Sequence, residues 1–281
     1  MSVDLHLHTY HSDATWSPED LIEHAVGLRL RHIAITDHDT VAGIDEGIQA
    51  ARGRLEIIPG VEINTIHKSS DGASQDVHIL GYFIDRSDAK LRALLQRQRD
   101  ARLEHARKCV EAIAATSVPI TLETAQKHAG RGAIGKMHLA RAIIEAGGAK
   151  DASEAYDKYL VRGSEFFIDR NGATPEEAIE AITGSGGIAS IAHPGKEAQM
   201  FDLILRLKQA GLGAVEAYHR VHCADRTKQY VRFAQRNDLL VTGGSDCHGP
   251  FEQYAATVGT IRVPLSVVEN LRSRAKQTAP L

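Results

Sequence analysis

The sequence has little of what stabilises secreted or membrane proteins. Its three cysteines, Cys109, Cys223 and Cys247, are an odd number and form no disulfide framework, so a reducing compartment is expected. No run approaches the roughly 18 apolar residues of a membrane-spanning helix. The first residues also lack the basic and apolar regions of a signal peptide. We therefore expect a cytoplasmic protein that has no membrane partner.

Aromatic side chains are also few, at 5% of the residues, and the formal net charge is −3. Proteins whose chief role is to bind nucleic acid carry basic surfaces and stacking rings, so stable binding of duplex nucleic acid is not expected. The charge is uneven along the chain, however. Residues 86–170 hold 16 Lys and Arg against 11 Asp and Glu, whereas the remainder holds 17 against 25. Such a basic segment indicates either a small anionic ligand or a solvated face.

Seven short apolar or β-branched runs alternate with helical patterns along the chain. Ser17-Pro18 and Thr174-Pro175 each supply an N-cap hydroxyl followed by proline, which marks the start of a helix. The alternation predicts parallel strands with crossover helices, and hence an α/β barrel or a doubly wound sheet. The seven runs are VDLHL (3–7), HIAIT (32–36), LEIIPGVEI (55–63), VHILGYFI (77–84), GIASIA (187–192), AVEAY (214–218) and LLVTG (239–243).

The strand pattern is interrupted between residues 86 and 170. This segment opens with a long helical stretch over 90–115, and three shorter helices are expected over 121–129, 136–147 and 151–160. We interpret it as a helical insertion between elements of a barrel. Near the C-terminus, TVGTIRV (257–263) predicts one further strand, and a helical stretch follows it.

Histidine is abundant, with 15 copies, and several histidines lie at the ends of the predicted strands. Parallel barrels build their active sites at the C-terminal ends of the strands, and imidazoles and carboxylates are ligands that zinc, manganese and iron accept. A single histidine in an apolar strand has a structural explanation, but ligand-type residues at six strand ends together predict a multinuclear metal centre. The side chains concerned are His6, His8, His38, Glu62, His78, His193, Asp246 and His248.

These residues fall in motifs that follow one another in a specific order, namely HLHTYHSD, ITDHDT, PGVEI, HILGY, AHPG and GSDCH. The ordered set resembles the polymerase and histidinol phosphatase (PHP) superfamily of metal-dependent phosphoesterases. The resemblance implies a distorted (β/α)7 barrel formed by residues 1–85 and 171–281. Residues 86–170 would be the helical insertion and would cover the active site.

The resemblance also implies two to three divalent metal ions, with manganese the expected metal and zinc or iron the alternatives. Glu62 would bridge two ions, and Glu62, Asp246 and His193 would be the catalytic residues. Carried over by position, the first site would use His6, His8, Glu62 and Asp246, the second Glu62, His78 and His193, and the third Asp13, His38 and His248.

The insertion narrows the resemblance to one branch of the superfamily. GKMHLARAIIEAGG (135–148) followed by AYDKYLVRGSEFFI (155–168) is similar to nucleoside 3′,5′-bisphosphate phosphatases and to related enzymes that trim the 5′ ends of short RNA. Relatives often have Arg-Pro where this chain has Lys136-Met137. Because the carboxylate ligands neutralise charge on the metal ions, the phosphates of a substrate also need basic partners from the insertion. The candidates for binding the substrate are Arg99, Asp100, Arg102, Gly135, Lys136 and His138.

The function that the resemblance implies is removal of the 3′-phosphate from nucleoside 3′,5′-bisphosphates, which leaves the nucleoside 5′-monophosphate. Two other phosphoesterase activities stay open: a 5′→3′ exonuclease on short 5′-phosphorylated RNA and a phosphomonoesterase like histidinol phosphatase. A metal-loaded nucleotide sensor and C–N bond hydrolysis are the alternatives from other classes. The complete set of ligands argues against a sensor, and the basic insertion favours a phosphorylated substrate.

Overall fold

The computed structural model describes residues 3–69, 72–250 and 256–278 of the chain. Its centre is a seven-stranded sheet in which the strands lie side by side in chain order. Helices cover the sheet, so the α/β class predicted from the sequence is confirmed. The strands are β1 (Val3–Leu7), β2 (His32–Ile35), β3 (Glu56–Lys68), β4 (Ser74–Tyr82), β5 (Ile188–Ile191), β6 (Ala214–Tyr218) and β7 (Leu240–Gly243).

The expectation of parallel strands throughout is wrong for β4. This strand runs antiparallel to both β3 and β5, while the other neighbouring strands are parallel. The reason lies in the short connection after Lys68, because a parallel crossover needs a dozen or more residues and a tight turn can only reverse the chain. The sequence carries this signal as Asp71-Gly72, a dipeptide typical of hairpin turns.

Helices follow most of the strands and pack on the sheet. The two helix starts predicted from Ser-Pro and Thr-Pro are confirmed, since Ser17 and Thr174 each cap a helix in a complete capping box. The helices are α1 (Pro18–Gly27), α2 (Gly43–Ala51), α3 (Ala89–Ala114), α4 (Leu122–Ala129), α5 (Lys136–Glu145), α6 (Ala152–Ala155), α7 (Pro175–Gly184), α8 (Gln199–Gln209), α9 (Ala224–Arg236) and α10 (Ser266–Thr278).

Helices α3 to α6 and a π-helical turn (Tyr156–Leu160) lie between β4 and β5 in the chain. They have a hydrophobic cluster of their own, which includes Ile113, Ile143 and Tyr159. Buried polar side chains fix α3 to the sheet. The Gln98 amide donates to the Asn64 carbonyl at 2.7 Å and accepts from the Ala173 N–H at 2.7 Å.

The two ends of the sheet approach each other because the chain after β7 bonds to β1. The Asp246 N–H donates to the His6 carbonyl at 2.9 Å, and the His8 N–H donates to the Cys247 carbonyl at 3.1 Å. The sheet is therefore strongly curled, and residues that follow β7 lie beside the end of β1. Buried Asp4 strengthens this junction by accepting from the Ser245 and Gly259 N–H groups at 2.9 and 2.8 Å.

The strand predicted for residues 257–263 is wrong. Val258 and Gly259 form a turn there, and no strand is assigned between residues 256 and 265. Gly259 has φ +69°, a conformation that breaks a strand, and its N–H is used by Asp4 and not by a neighbouring strand. In the described ranges, no helix is long and apolar enough to span a bilayer.

Candidate metal centre and phosphate-binding cavity

Glu62 on β3 is the centre of the cluster that the curled sheet brings together. Its carboxylate is fully buried, and five imidazole nitrogens surround it. Oε2 lies 3.2 Å from His6 Nε2, 3.3 Å from His8 Nε2 and 3.1 Å from His38 Nδ1, while Oε1 lies 2.9 Å from His78 Nδ1 and 3.2 Å from His193 Nε2. A single carboxylate is thus shared between two groups of histidines, one on each oxygen.

The first group joins the two ends of the sheet. His6 and His8 lie at the end of β1 and point to the same side, as their spacing predicts. Their Nε2 atoms lie 3.5 and 3.3 Å from Oδ1 of Asp246, which follows β7. Asp246 reaches them from a left-handed backbone conformation, with φ 52°, a strain that is stored where a side chain must be aimed precisely.

The second group lies on the other oxygen of Glu62. His78 comes from β4, and His193 lies two residues after the end of β5. His193 is also left-handed, with φ 25°. His78 meets Glu62 because it pairs with Asn64 on β3, two residues further along that strand.

Asp13, His38 and His248 form a third group beside the first. His248 Nε2 lies 3.2 Å from Asp13 Oδ1, and His38 Nε2 lies 3.8 Å from Asp13 Oδ2. Burial lowers the pKa of His248, but the carboxylates of Asp13 and Asp246 raise it to about 10. The group therefore attracts positive charge strongly.

The loop that carries Asp13 is held in place by Asp37. The Asp37 carboxylate accepts from the Thr9 N–H at 2.6 Å, from the Thr9 hydroxyl at 2.6 Å and from the Ser12 hydroxyl at 2.7 Å. Asp37 itself is fully buried and belongs to none of the groups of described side chains that could hold an ion, so its role in the ITDHDT motif is to position the loop of Asp13.

The buried polar atoms of the cluster fit divalent cations. In the described part of the chain, His6 Nε2, His8 Nε2, His38 Nδ1 and Glu62 Oε2 are buried and have no hydrogen bond of good geometry. Leaving such atoms unsatisfied costs roughly 1–3 kcal/mol each, so native proteins rarely do so. Four groups of side chains in the described residues bring their nitrogen and oxygen atoms close enough together to bind one ion. Three of these groups are made of residues from this cluster together with Asp13 and His248.

The ionisation states of two of these groups, Glu62 and His38, suit metal ligands. Burial raises the pKa of Glu62, but the imidazoles of His6, His38 and His78 lower it to well below its usual range. Burial lowers the pKa of His38 to about 3 against the opposing effect of Glu62 and Asp13. An ionised carboxylate and a neutral imidazole are the forms that coordinate metals.

Glu216 on β6 belongs to the site but was missed in the sequence. It is fully buried, its Oε1 lies 3.0 Å from His6 Nδ1, and its Oε2 accepts from the His193 N–H at 2.7 Å. A carboxylate behind a ligand histidine fixes the tautomer and the direction of the ring. The available signal was a lone charged residue in the apolar strand AVEAY, which requires a buried partner.

A cavity of about 540 Å³ lies between this cluster and the helices of residues 86–170. Arg102 on α3 lines it with a side chain that is 8% exposed. Its Nε donates to Asp39 Oδ2 at 2.6 Å, whereas Nη2 is buried without a hydrogen-bond partner in the described chain. Arg102 is therefore held by one edge of its guanidinium group and has donors left for an anion.

The start of α5 lies next to Arg102. Gly135 immediately precedes the helix and lies close to the guanidinium group. A Cβ added at this position would lie 3.5 Å from Arg102 Nη1. Its N–H donates to His138 Nδ1 at 3.0 Å, so His138 caps the helix from a buried position. Lys136 lines the same cavity and pairs with Asp76 at 3.1 Å.

Arg99 and Asp100 are placed differently from the other candidates for substrate binding. Neither of them lines the cavity. Arg99 Nη1 donates to the Asp39 carbonyl at 2.7 Å, and Asp100 accepts from the Gln96 amide at 2.8 Å. Arg99 and Arg102 share a helix face, but Asp39 separates them, and only Arg102 extends past it to the cavity.

Arg170 lines the cavity and was missed in the sequence. Its side chain is 8% exposed, Nη2 donates to the carbonyl and the side chain of Asn64 at 2.7 and 2.9 Å, and Nη1 is buried without a partner in the described chain. Nothing in the surrounding segment SEFFIDR distinguishes this arginine from an exposed one, because its burial depends on long-range packing against β3.

The fold and the site together are those of a metal-dependent phosphoesterase. The family model of the PHP domain matches residues 4–173, and this chain belongs to the PHP family. The 5′-3′ exoribonuclease Rnm of Escherichia coli K12 is 34% identical over 88% of this chain and 85% of its own length. A 3′,5′-nucleoside bisphosphate phosphatase of Chromobacterium violaceum is 32% identical over 89% of this chain and 88% of its own length.

A solved structure agrees with this assignment. The structure described as that of a metal-dependent phosphoesterase from Bifidobacterium adolescentis superposes with a TM-score of 0.85 at 30% identity. The match covers 98% of this chain and 96% of that chain. The protein is thus an enzyme of the class that hydrolyses phosphoric esters, as the ordered motifs predicted.

Proposed function

We propose that this enzyme removes the 3′-phosphate from nucleoside 3′,5′-bisphosphates and leaves the nucleoside 5′-monophosphate. The observation that carries the proposal is the buried Arg102, which has unpartnered donors and lies in the same cavity as the cluster around Glu62. A substrate with two phosphates can use both places at once, one phosphate at the cluster and one at the arginine. The relative from Chromobacterium violaceum is a 3′,5′-nucleoside bisphosphate phosphatase, which supports the same choice.

The proposed metal centre holds two to three divalent ions, with manganese as the expected metal. Its ligands are His6, His8, Asp13, His38, Glu62, His78, His193, Asp246 and His248. Ions held there would make a water molecule nucleophilic near neutral pH and neutralise charge on the phosphoryl oxygens. Glu62, Asp246 and His193 are the catalytic residues of the proposal, and Glu216 orients His6 and the backbone of His193.

The residues of the insertion select the substrate in this proposal. Arg102 and Arg170 bind the 5′-phosphate through their unpartnered nitrogens, and Lys136 adds charge from the start of α5. Because guanidinium groups bind phosphate in a bidentate way, they hold the nucleotide with its 3′-phosphate at the cluster. Residues 1–85 and 171–281, as a distorted (β/α)7 barrel, would supply the chemistry, and residues 86–170 would cover the active site and bind the substrate.

A 5′→3′ exoribonuclease is the second candidate, and two observations favour it. The relative from Escherichia coli bears that name. A smaller cavity of about 210 Å³ adjoins the first and shares Asp76, His105, Lys136 and Arg170 with it, so the basic site extends beyond the first cavity. The same bond, between the 3′-oxygen and phosphorus, breaks in both reactions.

The test is release of product from four substrates by the enzyme loaded with Mn²⁺. They are adenosine 3′,5′-bisphosphate, AMP, histidinol phosphate and a short 5′-phosphorylated RNA. We expect phosphate and AMP from the bisphosphate, with AMP not attacked further, and no activity in the Glu62→Gln variant. Turnover mainly of RNA would favour the exoribonuclease, and turnover mainly of histidinol phosphate would overturn both candidates.

A further inference from the structure

One wall of the cavity is apolar and is not needed to bind phosphate. It consists of Ile134, Met137 and Tyr156, which all come from the segment between β4 and β5. Among the described residues that line the cavity, Tyr156 is the only Tyr, Phe or Trp. Apolar walls in ligand pockets bind apolar parts of the ligand. Inorganic phosphate has no apolar part, so this surface indicates a larger ligand.

The wall is firmly supported from behind. Ile134 is 3% exposed and belongs to the hydrophobic cluster of the insertion, and Tyr156 packs against the same cluster. Tyr156 also begins the π-helical turn Tyr156–Leu160, a rare conformation that is frequent at functional sites. The ring is therefore fixed in position before a ligand arrives, which lowers the entropy cost of binding.

The wall lies close to the groups that bind phosphate. Ile134 and Met137 flank Gly135 and Lys136 in the chain, so the apolar surface and the positive start of α5 are separated by less than one helical turn. Arg102 lies beside Gly135. A nucleotide has a matching layout, because a single sugar separates its apolar base from its charged phosphate.

We propose that Tyr156, together with Ile134 and Met137, is the subsite that binds the nucleobase of the substrate. The base stacks on the tyrosine ring, and the two aliphatic side chains cover its edge. This inference rests on the proposed function, since it assigns a place to the base of the same nucleotide. Stacking uses the π-face that every base has, so the subsite accepts purines and pyrimidines.

The experiment compares two substrates in the Mn²⁺-loaded full-length enzyme. One is adenosine 3′,5′-bisphosphate, and the other is the matching sugar bisphosphate that lacks the base. Replacing a stacking ring weakens binding by about 5- to 100-fold per base. We expect Tyr156→Ala to raise KM for the nucleotide by a factor in this range and to leave KM for the sugar bisphosphate unchanged, while Tyr156→Phe behaves like the wild type.

Phe166→Leu is the matched control for folding of the insertion. Phe166 packs on the same hydrophobic cluster and contacts Tyr159 at 5.4 Å between ring centroids, but it does not line the cavity. Binding of AMP measured by calorimetry gives a second readout without turnover, and Tyr156→Ala should weaken it to the same extent as it raises KM.

The outcomes separate the subsite from the proposed function. Equal increases in KM for both substrates in Tyr156→Ala, or wild-type values for both, would overturn the base subsite while the phosphatase activity stands. Failure of the wild type to hydrolyse either compound, with its metals verified, would instead overturn the proposed function. Loss of AMP binding in Phe166→Leu as well as in Tyr156→Ala would assign the effect to packing of the insertion and overturn the stacking role.

Discussion

At the scale of single residues, the site depends on carboxylates that differ in what they contact. Glu62 touches five imidazoles and is the shared ligand of the proposed centre, whereas Glu216 touches the far side of His6 and the backbone of His193. The first kind could be predicted from the sequence because it lies in the motif PGVEI, at the end of the strand predicted for residues 55–63. The role of the second could not, because its partner is defined only when the curled sheet brings Glu216 on β6 to His6 on β1.

Replacing Glu216 with glutamine should weaken metal binding by about 10- to 100-fold. The two bonds use different oxygens of Glu216, and glutamine replaces one oxygen with an NH2 group. One acceptor is therefore lost, and the histidines lose their fixed direction. Titration of the metal-stripped protein with Mn²⁺ measures the effect. Glu56→Gln is the matched control, since Glu56 is an exposed carboxylate that pairs with Arg272. Unchanged affinity in Glu216→Gln would show that Glu216 is a structural residue only.

Arg170 allows a second test at the same scale. Arg170→Met keeps the length of the side chain but removes the donors that we assign to the 5′-phosphate. We expect KM for adenosine 3′,5′-bisphosphate to rise about tenfold or more, as loss of a charged hydrogen bond costs about 1.5–3 kcal/mol, with a smaller change in kcat. Arg97→Met is the control, because Arg97 is exposed on α3 and pairs with Glu177. An unchanged KM in Arg170→Met would remove this residue from the substrate site.

At the scale of elements, the loop between α4 and α5 lies directly against the loop that carries Asp13. Gly132 shows how close this contact is, since an added Cβ would lie 1.9 Å from the Ser12 carbonyl oxygen. No side chain can be accommodated there without moving one of the two backbones. The loop between α4 and α5 therefore fixes both the start of α5 and the position of a proposed metal ligand.

Gly132→Ala should destabilise the protein by about 1–3 kcal/mol, the usual cost of overpacking, and should lower its affinity for Mn²⁺. Urea denaturation and metal titration measure the two effects. Gly184→Ala serves as the control, because nothing lies within 4 Å of a Cβ at that helical position, and the exchange should be neutral or stabilising by about 0.5–1 kcal/mol. Wild-type stability of Gly132→Ala would mean that the insertion is not held against the ligand loop.

The elements also show where prediction from the sequence succeeded and failed. Strand and helix positions followed from apolar runs and caps, because these are local properties. The antiparallel direction of β4 was missed. The alternation of strands and helices predicted a parallel strand, but the connection between β3 and β4 is too short for a crossover helix. The strand predicted at 257–263 was wrong because buried Asp4, far away in the chain, takes the Gly259 N–H. Such long-range bonds have no local pattern.

At the scale of the whole molecule, the curled sheet brings the proposed ligands from β1, β2, β3, β4, β5 and β7, or from just after them, into one buried cluster. A cation that binds only the folded state stabilises it, by about 2.7 kcal/mol at a concentration 100 times the dissociation constant. We therefore expect Mn²⁺ to raise the melting temperature of the metal-stripped protein by roughly 5 to 10 °C. The Glu62→Gln variant should show little or no increase. An equal increase in both proteins would place the bound metal elsewhere.

The most direct measurement of the central claim is the ratio of kcat/KM for adenosine 3′,5′-bisphosphate to that for adenosine 3′-monophosphate. Both substrates present the same ester to the cluster around Glu62, but only the first has a 5′-phosphate for Arg102 and Arg170. The bisphosphate can form a charged hydrogen bond with each of these two arginines, and the monophosphate cannot. Because each such bond contributes about 1.5–3 kcal/mol, we predict a ratio of about 100 or more. A ratio near one would contradict the account, since it would mean that the basic side of the cavity does not bind the substrate.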